Sequence, residues 1–381
     1  MIDTSCDIIA APSLKNINWD FTNSSKSKNI HSIHPYPAKF IPEIPGNVID
    51  IIQPSKAGVV LDPFCGSGVS LVEAQKKGYD SIGIDLNPIA CLISKVKTQY
   101  INLFELQAVA DLVIASAKET QEYSIPNIPN LNHWFKKDAQ VGLTKLITAI
   151  NSLPDSNIRE ALLLACSSII VRVSNQDSDT RYAAVEKNII EANVYGFFAK
   201  AVKQLIYAKS REDYSKQAGV SVINGNILTT EAEHIKKDIS LLVTSPPYPN
   251  AYEYWLYHKY RMWWLGFDPI NVKEHEIGAR AHFFKKNHHK GEDFSTQMEK
   301  LFKNVSPLMM PDAYAVFVVG RSIIHGKEYA NHEIIAEAGK KHNFLHVETL
   351  TREMNNSRKS FNLTHANIKQ EFIVVLQNKK A

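Results

Sequence analysis

The strongest fold signal in this chain is Val59-Val60-Leu61-Asp62-Pro63-Phe64-Cys65-Gly66-Ser67-Gly68. A short apolar run enters a turn with glycines at alternate positions, and residues 69–77 follow with helical spacing of apolar side chains. Gly66 and Gly68 allow backbone N–H groups to approach a ligand where a helix begins. The segment predicts the first strand, turn and helix of a βαβ unit, with a ligand at the turn.

A second strand signal follows within the same unit. The segment Ser81-Ile82-Gly83-Ile84-Asp85 is apolar and ends in an acid. A βαβ unit places a ribose-binding carboxylate about 20 residues after its glycine loop, at the end of the next strand. Asp85 is therefore a candidate ligand of an adenosine ribose, with Leu86 and Asn87 beside the base. An acidic helix cap before Pro88 is the alternative.

The glycine loop also limits the kind of ligand. The dinucleotide fingerprint needs a third glycine where Leu71 stands, so a pyrophosphate cofactor is disfavoured. Asp62, at the carboxyl end of the first strand, suits a cationic ligand better than a phosphate. Both features point away from phosphate ligands.

A proline-rich corner, Thr244-Ser245-Pro246-Pro247-Tyr248, follows an apolar run at 239–243 that predicts a buried strand. The two prolines end the strand because they cannot donate ladder hydrogen bonds. Pro246 also favours an extended conformation at Ser245. Such a corner presents a hydroxyl, unpaired carbonyls and a phenol ring, which together can hold a flat, amine-bearing ring. An ordinary strand-ending turn is the alternative.

The composition is that of a globular protein with a sizeable core. The 381 residues are 44% hydrophobic and 22% charged, and a net charge of +4 permits a polyanionic partner without requiring one. The four cysteines lack CxxC spacing, so neither a zinc site nor a disulfide framework is expected. The polar N-terminus and the absence of an apolar run of about 20 residues favour a cytoplasmic protein that binds no membrane. The histidines lack companion cysteines or carboxylates at ligand spacing, so no bound metal is expected either.

Changes of pattern along the chain suggest three parts. Residues 1–30 are expected to form an N-terminal arm that docks through its aromatic side chains. Strand and helix signals alternate in 31–98 and again in 216–381, which predicts one catalytic domain. Residues 99–215 carry mainly helical patterns and are too long for a simple crossover, so they predict a helical insertion, which is a candidate target-recognition region.

Three polar segments are candidates for contacts with nucleic acid. The first is the predicted polar loop 174–182, the second is 280–290, and the third is the loop before the last strand. Cationic and imidazole side chains in such loops suit phosphate contacts, although solvated loops have the same composition. The candidate DNA-binding residues are Arg181, Arg280, Lys285, Lys286, His288, Lys290 and Arg358.

The glycine loop and the proline corner together resemble S-adenosylmethionine-dependent amino-methyltransferases, specifically the cytosine-N4 DNA methyltransferases. Residues 62–68 match the cofactor loop of that family, 244–248 match its catalytic corner, and 34–42 resemble the segment that precedes the cofactor loop. The resemblance covers about residues 30–95 and 220–380. It implies a class I methyltransferase fold, which is Rossmann-like: a doubly wound, seven-stranded, mostly parallel α/β sheet, here with the helical insertion.

The resemblance also implies roles for individual residues. S-adenosylmethionine is the implied cofactor, with Phe40 at its methionine part and Asn226 at the adenine amino group. The cofactor-binding set is Lys39, Phe40, Asp62, Pro63, Phe64, Gly66, Ser67, Gly68, Asp85, Leu86, Asn87, Asn226, Ile227 and Thr244. The catalytic set is Ser245, Pro246, Pro247 and Tyr248. DNA is the implied partner, and a cognate restriction endonuclease is a further one if the protein serves restriction–modification.

The expected mechanism is direct methyl transfer to a flipped base. A base amine inside a duplex cannot be reached, so the base must leave the stack. Tyr248 would stack on it, while the Ser245 hydroxyl and the Pro246 carbonyl would accept hydrogen bonds from the amine. Carbon-5 methylation is rejected because Cys65 lies in the cofactor loop and the chain contains no Pro-Cys dipeptide.

Three alternatives remain at this stage. Adenine-N6 methylation uses the same fold, but its corner more often begins with Asp or Asn. An exocyclic amine of RNA is a second alternative substrate. The third alternative is a relative that binds nucleic acid without catalysis, which is disfavoured because Asp62, Asp85, Ser245 and Tyr248 are all present.

Overall fold

The computed structural model describes residues 14–21, 29–179, 181–213, 218–229, 235, 238–249, 252–283, 291–353 and 370–379. These ranges contain eleven strands, seven of which form the central sheet. The strands are β1 (Val59–Asp62), β2 (Ser81–Asp85), β3 (Gln176–Ser178), β4 (Arg181–Ala184), β5 (Val220–Asn224), β6 (Ile239–Thr244), β7 (Met309–Gly320), β8 (Ser322–Ile324), β9 (Lys327–Tyr329), β10 (Phe344–Glu353) and β11 (Gln370–Asn378).

The described helices cover both faces of this sheet and the segment between β2 and β5. They are α1 (Glu43–Ile52), α2 (Val69–Lys76), α3 (Pro88–Thr98), α4 (Leu103–Glu119), α5 (Leu131–Trp134), α6 (Lys137–Asn151), α7 (Asn157–Ile169), α8 (Glu191–Lys209), α9 (Tyr254–Trp264), α10 (Pro269–His275), α11 (Arg280–Phe283), α12 (Gly291–Val305) and α13 (Asn331–Lys340). None of them is long and apolar enough to cross a membrane.

The strand order of the sheet is β10-β11-β7-β6-β1-β2-β5. Neighbouring strands are parallel, except that β11 runs antiparallel to both β10 and β7. The chain proceeds from β1 outward to β2 and β5, then returns to β6 on the other side of β1. This reversal places a topological switch point between β1 and β6, where sheets of this kind bind ligands. The predicted seven-stranded, mostly parallel sheet is confirmed.

Both faces of the sheet are buried. Along β7, Val316 and Val318 contribute to one core together with α1, whereas Phe317 and Val319 contribute to another with α12 and α13. This alternation follows from the two-residue period of a strand. Helices on both faces make the sheet doubly wound, as the sequence predicts.

The predicted helical insertion, residues 99–215, contains α4–α8 and packs directly on the rest of the chain. Its helices α4, α6, α7 and α8 share one hydrophobic core with α3 and α9. The Phe135 ring lies 5.6 Å from the ring of Tyr260 and 5.3 Å from that of Trp264 in α9. Lys209 at the end of α8 donates to the carbonyls of Val96 (2.8 Å) and Lys97 (3.3 Å), so the insertion caps the C-terminus of α3.

The described part of the N-terminal arm, residues 14–21, lies against β10. The amide of Leu14 donates to the carboxylate of Glu348 at 2.8 Å, and the guanidinium of Arg352 donates to the carbonyl of Trp19 at 3.0 Å. Trp19 is buried, and its indole N–H donates to the carbonyl of Leu14. The arm therefore adds to the core on this face of the sheet.

The segment 35–45 is rich in proline, yet α1 begins at Glu43 and includes Pro45. Proline is tolerated there because the N–H groups of a first helical turn have no intrahelical partner. The polar segment 174–182 was expected to be a loop, yet it contributes most of the β3–β4 hairpin. Whether these residues pair as strands depends on contacts with other parts of the chain, and the composition of the segment alone does not show such contacts.

Candidate functional site

One cleft lies at the carboxyl ends of β1, β2, β5 and β6, at the switch point of the sheet. It spans about 890 Å³ including its open mouth. The predicted residues that line it are Lys39, Phe40, Asp62, Pro63, Phe64, Gly66, Ser67, Asp85, Leu86, Asn87, Asn226, Ile227, Ser245 and Pro247. Four further predicted residues, Gly68, Thr244, Pro246 and Tyr248, lie beside this lining. The structure therefore brings the glycine loop and the proline corner to one cleft.

The glycine loop approaches α3 too closely for a side chain. Gly68 has φ +71°, and a Cβ atom there would lie 2.6 Å from the hydroxyl oxygen of Ser94. Gly66 has φ +49° and lies beside the Tyr36 ring, whose hydroxyl would be 3.0 Å from an added Cβ. Both positions need glycine, for its conformation and for the missing side chain.

Two side chains of helix α3 hold the glycine loop in place by donating hydrogen bonds to carbonyl groups of the loop. Ser94 donates its hydroxyl to the carbonyl of Gly66 at 2.9 Å, and Lys97 donates its ammonium to the carbonyl of Ser67 at 2.6 Å. Lys97 is 2% exposed, and burial lowers the pKa of its ammonium group. The sequence predictions missed both residues, because a serine and a lysine in an apolar helix match no motif.

Asp85 connects the end of β2 to the glycine loop. One carboxylate oxygen accepts from the amide of Gly66 and the other from the amide of Asn87, each at 2.8 Å. Burial raises the pKa of Asp85 to about 6. A carboxylate can accept about four hydrogen bonds, so its oxygens retain capacity for the hydroxyls of a ribose.

Asp62 connects the two halves of the sheet across the switch point. Its carboxylate accepts from the hydroxyl of Thr244 at 2.6 Å and from the amide of Phe64 at 3.2 Å. Asp62 is 2% exposed, and burial raises its pKa to about 6. Thr244, predicted to bind the cofactor, is fully buried and orients Asp62 from behind the cleft.

The asparagines near the predicted adenine site make local hydrogen bonds. The side-chain oxygen of Asn87 accepts from the amide of Ile89 and caps α3, and that of Asn226 accepts from the amide of Leu228. Asn224 donates to the carbonyls of Asp85 and Leu86, both at 3.0 Å. These bonds fix the loops after β2 and β5 against each other.

The segment before β1 forms the opposite wall. Phe40 lines the cleft and packs against the core below α1. The ammonium of Lys39 donates to the carbonyls of His31 (2.7 Å) and His34 (3.2 Å), and burial lowers its pKa to about 8. Lys39 thus stabilises the turn of its own segment at the edge of the cleft.

The proline corner presents its serine oxygen as an acceptor. Ser245 donates its hydroxyl to the carbonyl of Val318 in β7 at 2.9 Å. A hydroxyl has one donor and two lone pairs, so this bond uses the proton and leaves lone pairs on the oxygen. Tyr248 is half-buried against the core under α12, and burial raises the pKa of its phenol, which stays neutral.

Three of the cleft residues that the sequence predictions missed carry polar groups on its wall: Tyr36, Tyr254 and Glu276. The rings of Tyr36 and Tyr254 lie 5.7 Å apart and both line the cleft. Glu276 also lines it and accepts from the amides of Tyr254 (2.9 Å) and Trp255 (2.7 Å). Glu276 is 7% exposed, and burial raises its pKa to about 8. No sequence motif marks Glu276, because this residue lies far beyond the proline corner in the sequence, at the C-terminal end of α10.

The predicted DNA-binding residues are only partly described. Arg181 is exposed on β4, 3.8 Å from the carboxylate of Asp177, and Arg280 is exposed at the start of α11. Lys285, Lys286, His288, Lys290 and Arg358 lie outside the described residues. Among the described residues, no group of three or more histidine, cysteine, aspartate or glutamate side chains is arranged to hold a metal ion.

The sheet order, the single antiparallel strand β11 and the ligand cleft at the switch point define a class I S-adenosylmethionine-dependent methyltransferase fold. A protein-family model described as DNA methylase matches residues 11–96. The rRNA methyltransferase aviRa from Streptomyces viridochromogenes aligns over 92% of this chain and 90% of its own, at a TM-score of 0.36 and 11% identity. The strand order, rather than such distant overall similarity, defines the fold.

Two curated relatives are methyltransferases. The chain is 25% identical to the Type II methyltransferase M.MvaI of Kocuria varians, over 89% of this chain and 87% of that protein. It is 35% identical to the Type II methyltransferase M.MjaII of Methanocaldococcus jannaschii, over 28% of this chain and 21% of that protein. The family match and these relatives support an amino-methyltransferase of the DNA methylase family that uses S-adenosylmethionine as methyl donor.

The cleft fits this donor chemically. S-adenosylmethionine carries a positive sulfonium and a ribose with two hydroxyls, and the cleft offers two carboxylates, the buried Asp62 and the half-buried Asp85. Burial holds the pKa of both groups at about 6, so a cationic ligand would be favoured by the charge that it neutralises.

Proposed function

We propose that this protein transfers a methyl group to the exocyclic N4 amine of cytosine in DNA, at a specific sequence. The observation that carries the proposal is the hydrogen bond from Ser245 to the carbonyl of Val318, 2.9 Å long. It directs the serine proton away and leaves an oxygen that can accept from an amine. The relatives named Type II methyltransferases favour DNA as the substrate.

The cofactor is assigned to the walls built by β1, β2 and the segment before β1. Asp85 would accept from the ribose hydroxyls, Phe40 would contact the methionine part, and the loop after β5 would border the adenine. When bound, S-adenosylmethionine supplies an electrophilic methyl group on a positively charged sulfur. Asp62 supports the charge of that ligand from the end of β1.

The corner would orient the target amine. The Ser245 hydroxyl oxygen and the Pro246 carbonyl would accept the two amine hydrogens, and Tyr248 would stack on the base. These contacts turn the nitrogen lone pair toward the methyl group, so alignment supplies most of the acceleration. Serine is too poor a base to remove a proton before the transfer, so the positively charged methylated amine loses its proton afterwards, to Ser245 or to water.

The proposed mechanism involves base flipping without a covalent enzyme intermediate. A target amine within a duplex is out of reach, so the base must be extruded into the cleft. Cys65 lines the cleft, but burial raises the pKa of its thiol, which disfavours the thiolate that carbon-5 chemistry needs. We place the protein in the cytoplasm, in a restriction–modification or genome-marking system, where a cognate endonuclease is the expected partner.

The test is to identify the methylated nucleoside. Purified protein is incubated with unmethylated genomic DNA, or with RNA, and isotopically labelled S-adenosylmethionine, and the nucleic acid is digested and analysed by mass spectrometry. Labelled N4-methylcytosine from DNA is the expected product. Labelled N6-methyladenine would leave the site assignments in place but make adenine, not cytosine, the target base. Label found only in RNA would overturn DNA as the substrate.

A further inference from the structure

The segment Glu276–Ile277–Gly278, here called the 276–278 strap, joins α10 to α11 and closes one wall of the cleft. Glu276 and Ile277 are 7% and 5% exposed and line the cleft, and Gly278 is buried. Neither the glycine loop nor the proline corner includes these residues. Their contacts nevertheless reach the corner from both sides.

The first contact is with the helix that follows the corner. The carboxylate of Glu276 accepts from the amides of Tyr254 and Trp255, the first two residues of α9. Amides in the first turn of a helix have no intrahelical partner, and side-chain oxygens that accept from them satisfy the helix end. The residue at the N-cap position, Glu253, provides no side-chain cap. Glu276 therefore caps α9 and fixes its start, including the cleft residue Tyr254.

The second contact is with the corner itself. Gly278 has φ +72°, and a Cβ atom there would lie 2.7 Å from the carbonyl oxygen of Tyr248 and 3.3 Å from the nitrogen of Pro249. The strap backbone thus lies directly against the peptide that ends the corner. Only glycine combines this conformation with this approach.

We infer that the 276–278 strap positions the catalytic corner for methyl transfer. It holds the Tyr248–Pro249 peptide through Gly278 and the start of α9 through Glu276, and so sets where Ser245 and Tyr248 stand relative to the glycine loop. The inference rests on the proposed function. A displacement of about 1 Å in an aligned reaction can cost about 100-fold in rate, so such a strap would act on the rate of transfer rather than on cofactor binding.

The test compares Gly278→Ala with Gly266→Ala. Gly266 has φ +81° and no atom within 4 Å of an added Cβ, so both variants strain the backbone but only Gly278→Ala pushes on the corner. We expect Gly278→Ala to lower the single-turnover methyl-transfer rate at saturating S-adenosylmethionine by about 100-fold. Its cofactor Kd should stay within about threefold of wild type, and Gly266→Ala should retain the wild-type rate.

A second pair keeps the inference testable if Gly278→Ala does not fold. Glu276→Gln leaves one acceptor oxygen for two helix amides and should slow transfer by about tenfold, because the start of α9 loosens. Glu274→Gln changes an exposed carboxylate on α10 and should have no effect. If Gly278→Ala and Glu276→Gln transferred methyl groups as fast as their respective controls, the positioning role of the 276–278 strap would be wrong. Absence of transfer by the wild-type protein would instead overturn the proposed function.

Discussion

At the scale of single residues, the site depends on carboxylates of the cleft whose ionisation is costly. Burial raises the pKa of Asp62 and Asp85 to about 6 and that of Glu276 to about 8. Each is ionised in the unfolded chain at neutral pH, so its charge lowers the stability of the ligand-free fold as the pH rises. A cationic cofactor compensates that charge. Ligand binding and pH are therefore coupled.

Cofactor affinity should fall in acid. With a folded pKa of about 6, Asp85 is mostly ionised at pH 8 and mostly protonated at pH 5. Because the ionised form accepts ribose hydroxyls better, the Kd measured by calorimetry should be about tenfold weaker at pH 5 than at pH 8. Asp85→Asn should weaken binding at pH 8 and reduce this dependence to the part that comes from Asp62. A pH-independent Kd for the wild-type protein would contradict the role of Asp85.

Ser245→Ala should slow methyl transfer while preserving cofactor affinity. The change removes the acceptor for the amine and should lower the single-turnover rate by about 10- to 100-fold. Ser240→Ala is the matched control, because that serine also lies on this chain segment and donates to a backbone carbonyl, that of Val59 at 3.3 Å, without facing the cleft. Equal rates for the two variants would remove Ser245 from the mechanism.

At the scale of elements, α3 is the support on which the cofactor loop rests. Ser94 and Lys97 hold the carbonyls of the loop, and Lys209 of the insertion holds the C-terminal carbonyls of α3. The glycine loop, helix α3 and the insertion are therefore connected by a continuous series of hydrogen bonds.

Lys209→Met should destabilise the protein. The change keeps the apolar stem but leaves buried carbonyls at the end of α3 without their donor, which should cost about 2–3 kcal/mol. Denaturant unfolding measures the loss, and Lys203→Met, on an exposed position of the same helix, should be nearly neutral. Equal stability of the two variants would show that the cap contributes nothing.

The sequence predicted those elements whose signal is local. The glycine loop, the strand ending in Asp85 and the corner at Ser245 each combine an apolar run with residues of fixed conformation, and all three were found in place. Lys97 and Glu276 were missed because their function depends on partners distant in sequence, Ser67 and the start of α9. Both Lys97 and Glu276 are buried, which strengthens their hydrogen bonds, but the burial of a charged side chain cannot be predicted from its residue type alone.

At the scale of the whole molecule, the insertion is joined to the element that follows the corner. Arg261 of α9 is fully buried and donates to the carbonyl of Ser167 at 3.2 Å and to the carboxylate of Asp179. The hydroxyl of Tyr182 donates to the carbonyl of Leu256 in α9. These bonds fix the β3–β4 hairpin beside the helix that begins at the cleft, which is where a target-recognition region would meet DNA.

Arg181→Ala tests this placement. Arg181 is exposed on the hairpin, and loss of one phosphate contact should reduce the slope of log affinity against log salt by about one. DNA binding is measured by fluorescence anisotropy over a range of salt concentrations. An unchanged slope would exclude Arg181 from the DNA interface while leaving the cleft assignment intact.

The central claim is that the glycine loop and the proline corner form one active site, with Tyr248 at the target base. The most direct test measures Tyr248→Ala in two assays, cofactor binding and single-turnover methyl transfer to DNA. Loss of base stacking, about 1–3 kcal/mol, should lower transfer at subsaturating DNA by about 5- to 150-fold while the cofactor Kd stays within about twofold. A variant that transfers methyl groups at the wild-type rate would contradict the claim.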